Sequence, residues 1–279
     1  MKSQVTYAVV ISDPIPIPSA DPVPNGDRRM FSPISTTLIG GAHDCVLVDP
    51  PMTGEQGEAV ATRIIESGKN LTDIFITHGH GDHWFTAGML AERFGARVVA
   101  SAGTIRQMHR NVAIREAFWD RLFPGMIPDA PVTAVTPAGG RFTLEDHPLL
   151  IVEAGHSDTD DSTVLHVPDL GLVVAGDVLY NGVHQFLVES AGGGIDAWRK
   201  AIDIVAALEP NYIVAGHKNE ALDDDATRVI AETRHYLDAA EELLRREDTA
   251  LGFFHSMLEA FPGLLNPGAI WNSATALYS

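Results

Sequence analysis

The feature that most constrains this chain is a histidine-rich stretch, Thr77–His83, which directly follows the short apolar run Ile74–Ile76. An apolar run of this length with β-branched residues is typical of a buried strand. Gly79 and Gly81 allow a sharp backbone turn, so the side chains around them can point at one centre. Imidazole nitrogens and carboxylate oxygens bind borderline metal ions such as zinc. A metal site is therefore favoured over a polar turn that is histidine-rich by chance.

The spacing His78-x-His80-x-Asp82-His83 resembles the signature of the metallo-β-lactamase superfamily of metal-dependent hydrolases. Three residues fill the family's later ligand positions in order, each at the end of an apolar run: His156, Asp177 and His217. The resemblance covers the chain from about Ser35 to His217. It implies two divalent metal ions, most readily Zn²⁺, with Fe or Mn as alternatives. The implied ligands are His78, His80 and His156 for the first ion, Asp82, His83 and His217 for the second, and Asp177 as the bridge.

The order of strand-like and helix-like segments permits several layered α/β architectures. The resemblance implies one of them, a four-layer αββα sandwich with the metal site at one edge between two sheets. No linker divides the chain, so residues 1–279 are interpreted as one domain. Its core covers about 35–217, and a helical extension occupies 222–279. A helix is also predicted at Trp84–Phe94, and the proline-rich stretch Pro14–Pro24 is predicted to be a connector or a flap over the site.

Composition limits the partners. The net charge of −18 argues against nucleic acid, which requires clustered Lys and Arg. No apolar run is long enough to span a bilayer, and no convincing signal peptide precedes the first strand, so we expect a cytoplasmic protein that does not bind membranes. The single cysteine, Cys45, rules out an internal disulfide. The sequence permits a homo-oligomer.

The resemblance implies hydrolysis of a small lactone, ester or related acyl substrate, in which a metal-bridging hydroxide attacks the carbonyl carbon. Asp82 would then steady and protonate the departing group. Hydrolysis of β-lactams or thioesters is the alternative on the same site, although Arg245 and Arg246 form the one basic pair near the C-terminal helices. Alternatives of another class are a persulfide dioxygenase with a single iron and a binding protein without catalysis.

Further predictions concern residues around the ligands. Tyr180 follows the bridging aspartate by three residues, as in the superfamily's acyl-homoserine lactonases, and is predicted to bind the substrate carbonyl or to pack in its loop. His184 is a candidate substrate contact or a surface residue. Asp49 is expected to orient the ligand loop through hydrogen bonds. Trp84 and Phe186 are predicted to form pocket walls or to pack in the core.

Overall fold

The structure is a computed structural model that describes residues 4–17 and 21–279. In this part of the chain, ten strands form two five-stranded sheets. The first sheet contains, in spatial order, β1 (Thr6–Ser12), β2 (Ile34–Gly40), β3 (Asp44–Val48), β4 (Asn70–Ile76) and β5 (Arg97–Ala100). The second contains, from one edge to the other, β6 (Arg141–Leu144), β7 (His147–Gly155), β8 (Ser162–Val167), β9 (Leu172–Asn181) and β10 (Tyr212–Lys218).

Strand direction places the ends of ligand-bearing strands side by side. In the first sheet β3, β4 and β5 are parallel to one another, and in the second sheet β9 and β10 are parallel. Carboxyl ends of adjacent parallel strands lie at the same edge of a sheet, where loops commonly bind ligands. The residues that follow β3 and β4, and those at the ends of β9 and β10, are therefore brought to common edges.

Helices cover the outer face of each sheet. The first sheet packs with α1 (Gly54–Ser67), α2 (Ala87–Phe94), α3 (Ala102–Ile114) and α4 (Trp119–Leu122). The second packs with α5 (Gly194–Ala206), α6 (Ala226–Arg246), α7 (Ala250–Ala260) and α8 (Pro267–Leu277). A third buried cluster joins the sheets to each other, with Phe75 and Phe142 at a ring separation of 6.1 Å. The predicted αββα sandwich with additional C-terminal helices is confirmed.

Local sequence signals explain where several helices begin and end. Thr53 and Gln56 form a reciprocal capping box at the start of α1, and Gly68 ends this helix with φ 67°. The predicted start at Trp84 is wrong, because α2 begins at Ala87. Gly81–His83 instead forms one turn of 3₁₀ helix, and the indole of Trp84 donates to the carbonyl of Gly79 at 3.0 Å. Trp84 thus packs in the core and braces the histidine loop.

Two strands extend farther than the apolar runs predict. The sequence predicts a strand over Leu172–Ala175, but β9 continues through Asp177 and Tyr180 to Asn181, with every residue buried. Likewise, His217 lies within β10 and does not follow it. The polar residues in these strands contact each other, since Asp177 Oδ2 of β9 lies 3.2 Å from His217 Nε2 of β10.

The beginning of the chain contributes to a cavity wall. Residues 18–20 of the predicted proline-rich loop lie outside the described residues, but Ile17 is described and buried. Its N–H donates to the carbonyl of Arg29 at 3.1 Å, and the N–H of Phe31 donates to the carbonyl of Ile15 at 2.7 Å. No helix within the described residues has the length and apolar character needed to cross a membrane.

The division into a core and an extension stays a prediction. In the structure, α6, α7 and α8 share one buried cluster with β9 and α5, to which Tyr236, Phe253 and Ile270 belong. The predicted extension is therefore packed against the second sheet.

Candidate metal centre

Asp49 fixes the start of the histidine loop. It follows β3, and the loop follows the neighbouring parallel strand β4. One carboxylate oxygen accepts the Thr77 N–H at 2.8 Å, and the other accepts the Thr77 hydroxyl at 2.7 Å. The same carboxylate lies 3.6 Å from His83 Nδ1. Asp49 adopts φ 52°, a left-handed conformation that Asp and Asn tolerate better than most residues.

Asp82, His83 and His217 form one cluster of potential ligands, which we call the second group. Asp82 Oδ2 lies 3.2 Å from His83 Nε2 and 3.4 Å from His217 Nε2. His217 Nδ1 lies 2.7 Å from the carbonyl of Pro33, which can only accept, so this nitrogen carries a proton and Nε2 faces the cluster. Asp177 lies alongside, 3.4 Å from His83 Nε2 and 3.2 Å from His217 Nε2.

His78, His80 and Asp158 form a neighbouring cluster, which we call the first group. Asp158 Oδ2 lies 2.7 Å from His80 Nδ1 and 3.8 Å from His78 Nε2. The far ring nitrogens are held by other residues: His78 Nδ1 lies 3.0 Å from the Thr77 hydroxyl, and His80 Nε2 lies 3.2 Å from Glu189. Partners of this kind orient metal-binding histidines and fix their tautomers.

The structure does not bring His156 into either group. Its Nδ1 contacts Asp160 at 2.7 Å, and a Cβ built on Gly194 would lie 3.0 Å from its Nε2. Sequence reasoning did not identify Asp158 or Glu189. The acid-rich run Asp158-Thr159-Asp160-Asp161 signals carboxylates near the site, but it does not indicate which of them turns inward.

Charge and burial act on the same cluster. Burial lowers the pKa of His78, and the approach of His83 lowers it further. Burial also opposes a charge on His217, but Asp177 outweighs it and raises the pKa of His217 to about 10. Burial raises the pKa of Asp158, an effect that His80 partly offsets. These imidazoles and carboxylates form an environment that favours positive charge between them.

Several buried atoms in and beside the two groups lack hydrogen-bond partners among the described residues: His78 Nε2, His83 Nε2, His156 Nε2 and Asp177 Oδ1. Buried polar atoms are normally paired, so unpaired atoms that face a common centre call for an explanation. A divalent ion accepts this mixture of imidazole nitrogen and carboxylate oxygen. The residues therefore fit the metal that their arrangement implies.

Two glycines permit the close approach of the strands. A Cβ added at Gly216 would overlap Asp177 Oδ1 and lie 2.8 Å from a ring carbon of His83. Gly176 has φ 49°, and a Cβ there would overlap the Thr77 hydroxyl. Glycine is therefore required immediately before Asp177 and before His217, which explains the repeated Ala-Gly-Asp and Ala-Gly-His patterns.

Tyr180 and His184 are both buried and both line a cavity beside the groups. The Tyr180 hydroxyl donates to Asp177 Oδ2 at 2.6 Å, so this residue does more than pack in a loop. Burial and Asp177 both raise the pKa of Tyr180, which keeps it a donor. The surface position considered for His184 is wrong: its Nδ1 contacts the Tyr236 hydroxyl at 3.1 Å, and burial lowers its pKa to about 4.

The cavity has a volume of about 430 Å³ and is mainly apolar. Potential ligands from both groups form one end. The apolar walls come from Ile17, Met30, Phe31, Ile114, Phe118, Trp119, Leu122, Phe186 and Val188. Arg110 is the one arginine or lysine among the described lining residues. Of the two residues predicted to form pocket walls or to pack in the core, Phe186 lies in the cavity wall, whereas Trp84 is not among the lining residues.

Two adjacent groups of potential metal ligands at the edge of an αββα sandwich define a class of metal-binding protein. Residues 29–217 match the family model described as the metallo-beta-lactamase superfamily. The chain therefore belongs to this superfamily of metal-dependent hydrolases, and the resemblance seen in the sequence is confirmed.

Relatives at the level of sequence are distant. A UPF0173 metal-dependent hydrolase from Pyrococcus furiosus is 25% identical over 184 residues, which cover 62% of this chain and 77% of that protein. A hydroxyacylglutathione hydrolase from Rhizobium meliloti is 28% identical over 152 residues, which cover 54% of this chain and 50% of that protein.

Solved structures share the fold. A metallo-beta-lactamase family protein from Thermus thermophilus aligns with a TM-score of 0.64 and 22% identity, over 97% of this chain and 91% of the other. A beta-lactamase domain protein from Burkholderia ambifaria aligns with a TM-score of 0.63 and 17% identity, over 98% of this chain and 84% of the other. At these identities the likeness concerns the fold alone.

Proposed function

We propose that this chain is a hydrolase with two metal ions that acts on a small lactone, ester or related acyl compound. The observation that carries the proposal is the position of Asp177. Its two carboxylate oxygens lie 3.4 Å from His83 and 3.2 Å from His217 in the second group. Its charge also acts on His78 of the first group, where it opposes the lowering of the His78 pKa by burial. One carboxylate between two ligand groups suits a pair of ions better than a single ion.

The second group, Asp82, His83 and His217, would hold one ion. The other would be held by His78 and His80, together with a residue of the loop that carries His156 and Asp158. Zn²⁺ is the ion that this donor set most readily accepts, with Fe or Mn as alternatives. When bound, such ions lower the pKa of water and polarise a carbonyl oxygen.

The protein's own residues would hold the substrate and move its protons. Asp82 lines the cavity and would carry a proton to the departing oxygen. Tyr180 lines the same cavity and, through its hydrogen bond, sets the orientation of Asp177. Glu189 contacts both His80 and the Thr159 hydroxyl, so it ties the histidine loop to the loop after β7.

The cavity walls support a substrate with an apolar acyl or ring portion. Ile17, Phe31 and Trp119 are buried or half-buried, whereas Phe118 is 46% exposed and Ile114 is 49% exposed. Burial of apolar substrate surface against these side chains would contribute about 25 cal/mol per Å². His184 lines the same cavity and is a candidate to bind a polar group of the substrate.

A thioester substrate is the second candidate, because one relative is a hydroxyacylglutathione hydrolase. The basic pair near the C-terminal helices gives this candidate little support. Arg245 lies 3.7 Å from Glu241, and Arg246 lies 2.9 Å from Glu247, so acidic neighbours already offset both charges. An anionic thiol carrier would have Arg110 as its cation among the described cavity residues.

Elemental analysis of protein purified without added metal tests the proposal first. We expect close to two divalent ions per chain and hydrolysis of a lactone or ester in a panel that includes β-lactams and thioesters. Activity should be lost with a chelator and restored by the ion. About one iron per chain, with oxygen uptake on a persulfide and no hydrolysis, would overturn the proposal. The cytoplasmic location and the homo-oligomer stay predictions.

A further inference from the structure

We propose that Arg110 binds a carboxylate of the substrate, so that the preferred acyl compound carries a negative charge in addition to its reacting carbonyl group. The inference rests on the proposed function, because it narrows the substrate class of the same cavity. Arg110 lies on α3 and is the one arginine or lysine among the described lining residues. It is therefore assigned as a residue that determines specificity.

One face of α3 forms a wall of the cavity that begins at the histidine loop. The lining residues on this helix lie three, four and seven positions after the first of them, so they share one side of the helix: Gln107, Arg110, Asn111 and Ile114. A Cβ added at Gly79 would overlap Gln107 Cβ, so α3 packs directly on the histidine loop at this point. Arg110 lies about 4.5 Å farther along the helix axis. A substrate whose carbonyl lies at the metal-binding end can therefore reach Arg110 with a group only a few bonds away.

Hydrogen bonds fix the direction of the Arg110 side chain. Its Nη1 donates to Gln107 Oε1 at 3.1 Å, and Gln107 Nε2 donates to Asp161 Oδ2 at 3.1 Å. A guanidinium only donates and a charged carboxylate only accepts, so these two contacts fix the orientation of the amide between them. The carbonyl of Asp161 also accepts from the Thr104 hydroxyl at 3.3 Å, which ties the start of α3 to the loop between β7 and β8. Less side-chain freedom is therefore lost when a ligand binds to Arg110.

No acidic side chain among the described residues offsets the charge of Arg110. Arg106 and Arg115, which precede and follow it in the same stretch, pair with Asp161 at 3.2 Å and with Asp120 at 3.1 Å. The hydrogen-bond partner of Arg110 is instead a neutral amide in the preceding helical turn. The guanidinium has further N–H donors in a planar fork, which matches the two oxygens of a carboxylate. Arg110 can therefore form an ion pair with a substrate without first breaking one within the protein.

The position of Arg110 on the helix favours a carboxylate over a phosphate. Phosphate groups commonly bind at helix N-termini, where free backbone N–H groups add donors and positive charge. Arg110 lies in the C-terminal half of α3 (Ala102–Ile114), where the backbone N–H groups are used within the helix and the dipole adds no positive charge. A group with one negative charge therefore suits this single arginine. Ile114 and Phe118, farther along the chain, line the same cavity and can pack against an apolar portion of the substrate.

Two substrates that differ only in charge test the proposal with full-length, metal-loaded protein. One is a γ-butyrolactone that carries a phenyl group and a carboxylate on its ring, and the other is the same lactone with a carboxamide. We expect Arg110→Met to raise KM for the carboxylate about 10- to 100-fold, because a charge-assisted hydrogen bond is lost, with kcat changed less than about threefold. Both constants for the carboxamide should change less than about threefold. Arg110→Lys keeps the charge but not the planar fork, so it should recover part of the affinity.

Arg63→Met is the matched control, because it removes the same charge from α1, where Arg63 pairs with Glu66 at 3.1 Å and is not among the described lining residues. It should hydrolyse both lactones as the wild type does. If Arg110→Met leaves both lactones unaffected, or impairs both equally, the assignment is overturned.

The lactam analogue of the carboxylate, which resists hydrolysis, gives a readout without turnover. Calorimetric titration should show that Arg110→Met binds this lactam about 10- to 100-fold more weakly than the wild type does. Equal binding by the two proteins, or no binding by either, would overturn the assignment. A wild-type protein that hydrolyses no lactone or ester would instead refute the proposed hydrolysis, and the lactam titration would still decide whether Arg110 binds the carboxylate.

Discussion

The two ligand groups differ in how their third member reaches the centre. In the second group, His217 lies within β10, whose pairing with β9 fixes its position relative to Asp177. In the first group, the third member lies in an irregular loop between β7 and β8. A strand ladder fixes side-chain direction residue by residue, whereas a loop depends on its own turn hydrogen bonds.

The surroundings of the two groups differ in the same way. His83 of the second group is fully buried, whereas the side chain of His80 in the first group is 16% exposed and reaches Glu189 on another loop. Substitutions near the ligands should therefore change the ligand positions less in the second group, which the sheets fix, than in the first group, which loop contacts fix. The following predictions test how far the groups behave as separate units.

The largest effect is expected at the residue that joins them. Asp177→Ala removes the carboxylate beside both groups, so we expect the loss of metal from both and a fall in kcat/KM of more than about 1,000-fold, equal to about 4 kcal/mol. Elemental analysis and steady-state kinetics with the best acyl substrate measure the two effects. Normal metal content with retained turnover would show that the groups work without this link.

The sequence predicts the second group more completely than the first. Asp82 and His83 follow from the spacing of one motif, and His217 follows from a β-strand with Gly before the ligand. For the first group, sequence places His78 and His80 but not Asp158, because six polar residues in succession follow Ser157 and local turn geometry decides which one points inward. Hydrogen bonds within that turn have no signature in apolar periodicity.

Long-range partners were also beyond the sequence. Glu189 contacts His80, although the two residues are 109 positions apart in the sequence. Local residue spacing does not indicate that the loop containing Glu189 lies beside the histidine loop. The four-layer architecture could be predicted because the motif identifies a family, whereas alternating strands and helices alone permit several layered folds.

A smaller effect is expected from Tyr180→Phe, which tests whether Asp177 needs orientation as well as charge. The substitution removes only the hydroxyl that donates to Asp177 Oδ2. We expect kcat to fall by about 10- to 100-fold, the range seen when partners of metal ligands are removed, with two ions still bound at saturating metal. Separate measurement of kcat and KM distinguishes this role from substrate binding, which would mainly raise KM. Unchanged kinetics would mean that Tyr180 only packs in its loop and does not orient Asp177.

The smallest effect is expected from Asp49→Asn, which should separate the two groups. Asp49 contacts Thr77 and lies 3.6 Å from His83, a member of the second group. Asn tolerates the left-handed backbone at this position but can accept only one of the two Thr77 hydrogen bonds. We expect affinity for the ion of the second group to fall about tenfold, with a smaller change at the first.

Asp73→Asn is the matched control for that experiment. Asp73 is also a buried carboxylate of the first sheet, but it accepts from Arg97 at 2.7 Å and belongs to neither group of potential ligands. Both variants weaken a hydrogen bond accepted by a buried carboxylate, so both should be less stable by about 1–3 kcal/mol in chemical unfolding of the metal-free protein. Only Asp49→Asn should change the competition titration with Zn²⁺. An equal loss of affinity for both ions would mean that Asp49 supports the whole histidine loop. The two groups would then not respond independently to substitutions.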